Sequence, residues 1–558
     1  MQIIQKTNGP LFTVIPSQRG PFPIVNTAYF LVRDNWDDHG FKTQYNLFRS
    51  KDQQRLGDVK ILKRGQAETS LGILPDGLLT ALPPDYCSLG QSLDYYERLA
   101  ELDRAERDAI LGALRDALLD PDHASSFQAE RGWSISVRRD LQDFERLATV
   151  LLTKDFSSLV GMSLQMQFLP AGWTSPLHLD FDAPSENFAG TRARGGSSNR
   201  HKLPRRVAVL TGQNGSGKST LLARMARVLH ASPTDRRSSR LQDLGRVEPP
   251  GVGFTRILTV SFSAFDAFEV PGVDAAERRQ IASEMRAGTG RYVFCGLRDI
   301  AAELEQELAQ AEASKDSSAE ETSGGGWGER RADSLLKTLD ELAGEFARTI
   351  ARINVDIDRQ WLLSSAADLL LADPSFSDVT PRGLDTLLSS DPKSAFLKWS
   401  TGHKIVLFTL ASLVAYAEPR SMVFLDEPEA HLHPPLLAAL MHAIRYVLED
   451  LDAFAVVATH APVVVQETLS QHVFVVRREG RAFGLVAPAI ETFGESIGTV
   501  TDEVFGLTTE STDYHTVLSG LWTRFRSVDA IEVLFEKGLS LQARAFLMTL
   551  AAREATQV

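Results

Sequence analysis

Nine consecutive residues, Gly212-Gln-Asn-Gly-Ser-Gly-Lys-Ser-Thr220, carry the strongest chemical signal in the chain. Gly212, four intervening residues and then Gly217-Lys218-Ser219 let successive backbone N–H groups turn inward around a polyphosphate, a turn that side chains at the glycine positions would block. Lys218 offers a point charge to the β- and γ-phosphates of a nucleotide such as ATP, and Ser219 offers an oxygen to Mg2+. Asn214, Gly215, Ser216 and Thr220 complete the cradle. A second signal is the apolar run from Ser421 that ends in Asp426-Glu427. Adjacent acids at the end of a buried strand are costly unless a cation meets them. Next to a nucleoside triphosphate, Asp426 is suited to hold Mg2+ through its water shell, and Glu427 to orient or deprotonate the attacking water. A third apolar run, from Ala453, ends at Thr459-His460, and its place in the chain after the paired acids favours a γ-phosphate sensor at His460. Upstream, Ser400 and Gly402 open an apolar helical stretch, where a hydroxyl and backbone donors suit an anion. Glu429, His431 and His433 resemble part of a zinc site, but Pro428, Pro434 and Pro435 around them fit a loop, and no further His or Cys completes four-ligand spacing.

These groups need strands that end at a common edge. Val207–Thr211 reads as the strand before the phosphate loop, with a helix after it; Arg256–Ser263 and Arg291–Arg298 read as further strands of the same core. Ile405–Ala417 is apolar but interrupted by Thr409 and Ser412, and falls short of the roughly 20 residues a membrane crossing needs. It reads as a buried helix, with no membrane partner. Upstream, residues 24–64 alternate apolar and polar positions around Asp34–Gly40, the pattern of a β-hairpin, and about 90–153 changes to helical spacing. Leu297, Ile300, Leu304 and Leu308, then Leu335, Leu339, Leu342, Phe346, Ile350 and Ile353, repeat at helical intervals on either side of the polar, glycine-rich Ser317–Gly328. That pattern predicts a helical hairpin with a mobile tip.

The chain has 558 residues, 43% hydrophobic, with a net charge of −13 and two cysteines. Its length calls for more than one structural unit. Cys87 and Cys295 lack metal-ligand spacing and fit a reducing cytoplasm better than a disulfide. The N-terminus lacks the apolar core of a signal peptide, so a cytoplasmic location is expected. The acidic balance argues against a surface that coats nucleic acid. Any nucleic-acid contact would be local, at the basic run Thr191–Arg206, whose plainer reading is a solvated loop.

The order of phosphate loop, Ser-x-Gly helix start, strand-Asp-Glu and strand-His resembles the ABC-type ATPases in their soluble, SMC and RecF-like branch. The wording Asp426-Glu-Pro-Glu-Ala-His-Leu-His-Pro434 is similar to the stand-alone ATPases of bacterial anti-phage defence, including overcoming-lysogenization-defect nucleases and the Septu ATPase. The likeness covers roughly residues 160–480. It implies an α/β P-loop NTPase fold of ABC type and ATP hydrolysis with Mg2+. It also implies a homodimer in which Ser400, Thr401 and Gly402 act on nucleotide held by Gly215, Lys218 and Ser219 of a second subunit. Thr401 and His403 stand where the family has Gly and Gln, and the glutamine expected after the strand ending near Ser263 is absent, with Ser263 or Asp266 as substitutes. The tail from Gly484 is too short for a metal-binding nuclease domain, so an effector such as a nuclease would be a separate chain. The expected organisation is an N-terminal α+β extension (1–155), a first core part (156–296), an inserted helical hairpin (297–395), a second core part (396–483) and a helical tail (484–558). Regulation of an effector in defence, a DNA-repair or chromosome-maintenance ATPase, and an ATP-stabilised scaffold all remain compatible with these residues.

Overall fold

The computed structural model describes residues 9–18, 22–68, 73–138, 143–181, 203–316, 334–371, 373–377, 391–480, 482–505 and 513–556. Most of the basic run 191–206 and the tip 317–328 lie outside these.

The N-terminal module is a six-stranded sheet with helices on one face. Its strands are β1 (Phe12–Ile15), β2 (Tyr29–Arg33), β3 (Gln44–Arg49), β4 (Arg55–Lys63), β5 (Gly77–Leu79) and β6 (Tyr86–Gly90), in the order β5-β1-β2-β3-β4-β6. β2 and β3 pair antiparallel, Tyr29 opposite Arg49 and Arg33 opposite Tyr45, forming the hairpin that the alternation predicts. The helices Leu93–Ala100 and Phe144–Thr153 cover the sheet through Tyr95, Tyr96, Leu99, Leu147 and Leu151, all buried.

Two sheets make up the central module. β7 (Gln165–Pro170), β8 (Leu177–Asp180) and β10 (Gly245–Glu248) form a small antiparallel sheet, β10-β7-β8. The main sheet contains β9 (Val207–Thr211), β11 (Ile257–Ser261), β12 (Tyr292–Gly296), β13 (Met422–Asp426), β14 (Phe454–Ala458), β15 (Val473–Glu479) and β16 (Ala482–Val486), in the order β12-β11-β13-β14-β9-β15-β16. All neighbours are parallel except β15 and β16. The sheet runs past residue 483: a left-handed Gly480 (φ 64°) turns the chain back, so β16 pairs with β15 within the stretch expected to start a helical tail.

Parallel strands buried on both faces read as unbroken apolar runs, and every residue of β9, β11, β13 and β14 is buried. One layer packs the Lys218–His230 helix against the sheet through Leu221, Leu222, Met225 and Leu229. The opposite layer contains the Thr401–Tyr416 and Pro434–Asp450 helices, through residues such as Leu410, Leu413, Leu440 and Ile444. Since β9, β11, β13 and β14 are parallel, the loops after Thr211, Ser261, Asp426 and Ala458 emerge at one edge. This edge is where open parallel sheets bind ligands.

The inserted helices bury their stripes on different neighbours. Ile300–Asp316 packs its Ile300, Ala301 and Leu304 with Ile281 of the Ala275–Ala287 helix, whereas Leu339–Ile353 places Phe346 against Phe396, Trp399 and Phe408. Leu339–Ile353 begins on a capping box in which Thr338 and Glu341 satisfy each other's backbone N–H. The segment 300–398 thus brackets the core and, among the described residues, contributes three further helices, Ile357–Leu370, Pro374–Ser377 and Pro392–Lys398. In the tail, Val500 and Val504 join the main core, and Leu518, Trp522, Ile531 and Leu547 form a small cluster of their own. Among the described residues, no helix is long and apolar enough to cross a membrane.

Candidate nucleotide site

The phosphate loop joins β9 to the Lys218–His230 helix, and its geometry requires glycine at two points. Gly212 has φ 141°, and a Cβ there would lie 2.4 Å from the carbonyl oxygen of Val476; Gly217 has φ 94° and caps the helix without a side-chain hydrogen bond. The first-turn N–H groups of that helix therefore keep their capacity for an anion. Asn214 and Gly215 are exposed at the loop tip, Thr220 lies in the first turn, and the Ser216 hydroxyl is buried without a hydrogen-bond partner. Trp173 stacks on Phe483 at 5.5 Å and walls the loop beside Gly217.

Lys218 folds back into its own loop. Its Nζ donates to the carbonyl oxygens of Gly212 (3.1 Å) and Gln213 (3.2 Å) and lies 2.7 Å from Nε2 of His460. Burial lowers the Lys218 pKa to about 8, against the opposing pull of Glu427, Asp426 and Glu429. Burial, and then the Lys218 charge, push His460 below the ordinary histidine range. His460 is therefore the neutral partner, accepting at Nε2, which places its own proton on Nδ1.

Ser219 Oγ donates to Asp426 Oδ1 at 2.9 Å. Asp426 is buried at the end of β13, and desolvation, with Asp266 and Glu427 adding to it, raises its pKa to about 7. A hydroxyl and a carboxylate in contact, the latter forced toward neutrality for want of positive charge, form a hard-oxygen donor set that fits Mg2+. Ser219 and Asp426 are the residues that would hold it.

Glu427 occupies the left-handed region at φ 49°, a costly conformation for a non-glycine residue and one found at functional sites. Its N–H donates to the Ala458 carbonyl (2.9 Å), which ties the turn to β14, and its Oε1 lies 3.9 Å from Nε2 of His460. Glu429 binds the turn that follows β14. Its Oε2 accepts the Thr459 hydroxyl at 2.9 Å and its Oε1 accepts the His460 N–H at 2.5 Å. Among the described residues no cluster of three His, Cys, Asp or Glu could hold a metal. The signal available in the sequence was a third acid, out of step with the catalytic pair, together with a hydroxyl immediately before the histidine.

Of the two candidates for the missing glutamine, Ser263 Oγ accepts the N–H of Phe265, and Asp266 is buried with Oδ1 on Arg298 at 2.6 Å. Arg298 in turn binds Glu303 of the Ile300–Asp316 helix. Asp266 Oδ2 has no hydrogen-bond partner, and its charge is felt at Asp426.

Ser400 caps the Thr401–Tyr416 helix: its hydroxyl accepts the N–H of His403 (3.3 Å) and lies 2.9 Å from the same residue's Nδ1. Ser400 and Thr401 are exposed, and Gly402 packs beside the His431 carbonyl and Leu432. The structure thus brings Lys218, Ser219, Asp426, Glu427 and His460 together, and no described contact joins Ser400–Gly402 to them.

Phosphate loop, parallel strand order and paired acids at one sheet edge give the chain the α/β fold of a P-loop NTPase. Residues 207–466 match a family model described as "AAA domain, putative AbiEii toxin, Type IV TA system". Over nearly its whole length the chain is similar to Protein ea59 of Escherichia phage lambda, 28% identical over 570 residues that cover 96% of this chain and 97% of that protein. Among solved structures, a nucleotide-free ATP-binding cassette from an ABC transporter aligns at 13% identity and a TM-score of 0.25, covering 61% of this chain and 94% of that one. An SmcHead bound to the C-winged helix domain of ScpA aligns at 12% identity and a TM-score of 0.24, covering 58% and 97%.

Proposed function

We propose that the chain is an ATPase that closes as a homodimer around ATP and uses hydrolysis to regulate a separately encoded effector in the conflict between bacteria and their phages. The observation that carries the ATPase reading is the convergence of Lys218, Ser219, Asp426, Glu427 and His460 at the end of three adjacent parallel strands. When ATP binds, Lys218 exchanges His460 for the β- and γ-phosphates, and the N–H groups from Gly215 to Thr220 hold the phosphate oxygens. Mg2+ at Ser219 and Asp426 would supply charge neutralisation of those phosphates. Glu427 accepts a proton from, or orients, the attacking water, and His460, released from Lys218, donates Nδ1–H or Nε2–H toward the γ-phosphate.

Dimerisation is supported by the helix start at Ser400–Gly402, where Ser400 and Thr401 are exposed and make no described contact with the phosphate loop of their own chain. A second copy turned to face the loop would supply them. The setting in phage conflict is supported by the toxin–antitoxin wording of the matching family and by a relative encoded in a phage.

Glu427→Gln protein should bind ATP, release phosphate at least about 100-fold more slowly, and double its mass by light scattering when ATP is added. Turnover at the wild-type rate would remove Glu427 from the chemistry. An unchanged mass would remove the dimer.

A further inference from the structure

We infer that Glu429 is the positioning residue for His460: its carboxylate clamps the Thr459-His460 turn and thereby sets where the imidazole meets Lys218 and Glu427. The inference rests on the ATPase reading above for its effect on turnover, but the clamp itself can be tested without nucleotide.

Four observations converge. Glu429 uses both oxygens on one turn, Oε2 on the Thr459 hydroxyl (2.9 Å) and Oε1 on the His460 backbone N–H (2.5 Å). Thr459 is completely buried, and its hydroxyl also accepts the N–H of Ala461 at 2.9 Å, so one side chain and one carboxylate fix three successive residues. The Glu429 carboxyl is drawn above its ordinary pKa by burial and is held down by the groups it accepts from. A carboxylate taken out of water in this way is costly unless it is fully hydrogen-bonded, so its placement is specific. Finally, the backbone is bent to deliver it: Glu427 and His431, on either side, are both left-handed, with φ of 49° and 67°.

The clamp's output is the imidazole. Nothing else described fixes the His460 backbone N–H, and the ring is left with Lys218 Nζ at 2.7 Å and Glu427 Oε1 at 3.9 Å. Removing the carboxylate therefore frees the turn and withdraws the ring from the lysine. The same short segment reaches the far side of the site, since the His431 carbonyl and Leu432 pack against Gly402. Glu429 thus anchors one end of a rigid turn whose other end supports the helix start predicted to face a second subunit.

The test uses full-length protein in which the 12 histidines carry a 13C label at Cε1, with His460 assigned from the His460→Gln difference spectrum. In Glu429→Ala without nucleotide, the His460 titration midpoint should rise toward the ordinary histidine range, because the ring leaves Lys218. With ATP, kcat should fall about tenfold or more while KM stays within about twofold, the pattern of a group that acts on the transition state rather than on binding. Thr459→Val should move both readouts the same way by less. Glu429→Gln should restore both, since its amide oxygen still accepts the His460 N–H, and thermal melts of all three variants report folding. An unmoved His460 midpoint in Glu429→Ala overturns the clamp. So does a loss of kcat shared equally by Gln and Ala and tracking their melting temperatures. A wild-type protein that does not hydrolyse ATP overturns the ATPase reading instead, and the nucleotide-free titration still decides the clamp.

Discussion

Lys218 holds three acceptors with three ammonium hydrogens, and one of those acceptors, His460, must be exchanged before a γ-phosphate can be gripped. Its pKa of about 8 gives this grip a pH dependence. Phosphate prefers the charged lysine. Below about pH 8 the charge is already present and affinity is flat; above it, each binding event must take up a proton, and affinity falls about tenfold per pH unit. A fluorescent ATP analogue titrated without divalent ions, so that Asp426 is not also competing for a cation, should show a break near pH 8. Constant affinity from pH 7 to 9.5 would mean that the lysine is not the phosphate ligand. At this scale the phosphate loop, the paired acids and His460 were legible, because backbone geometry and charge demand those residue types at those spacings. Glu429 was not, because its partners are the Thr459 hydroxyl and the His460 N–H in the loop after a different strand. Asp266 was legible as a candidate, but Arg298, which occupies one of its oxygens, comes from beyond the next strand.

Helices and strands were legible where a period is strong. The hairpin of β2 and β3 and the buried Thr401–Tyr416 helix follow from alternation and from a mostly apolar run. The layer that each inserted helix packs on did not follow, since apolar stripes name a buried face and not its partner. The aromatic cluster of Phe346, Phe396, Trp399 and Phe408 shows what was missing: it joins the Leu339–Ile353 helix to the two helices flanking Ser400. Phe346→Ala should cost about 3–5 kcal/mol in chemical denaturation and speed amide exchange at residues 400–404, where the helix start loses its backing. In the N-terminal module, Asp116 is buried under the Tyr96 hydroxyl (3.0 Å) and its pKa is raised by desolvation to about 7. The folded state therefore binds this proton more tightly than the unfolded chain does. The stabilisation is complete below the unfolded value near 3.8 and is lost as pH rises through about 7. Asp116→Asn should abolish that decline, an effect on the order of a few kcal/mol, seen as a melting temperature that no longer drops between about pH 4 and 7.

The two modules meet along the Leu93–Ala100 helix, whose charged residues are buried against the far end of the main sheet from the nucleotide site. Asp94 pairs with Arg291 (2.9 Å), just before β12; Glu97 pairs with Arg256 (3.0 Å), just before β11; and Arg98 pairs with Glu284 (2.6 Å). Arg291 also donates to the carbonyl oxygens of His230 and Phe254, which ties its guanidinium to the core. A surface that buries three ion pairs cannot open cheaply, because each separated charge must be rehydrated on both faces or left unpaired. The N-terminal module is therefore a fixed base under the main sheet, and any nucleotide-driven motion is expected at the opposite edge, around residues 400–404 and 427–433. Calorimetry of the wild-type chain should show the module and core melting in one transition. Glu97→Ala leaves Arg256 buried without its carboxylate, a loss of about 3–5 kcal/mol. This should split the transition, with the N-terminal module melting first, while leaving nucleotide affinity within about twofold. Two transitions already present in the wild type would show that the ion pairs do not couple the modules. A Glu97→Ala protein that loses nucleotide binding while still folded would show that the base takes part in the site it supports.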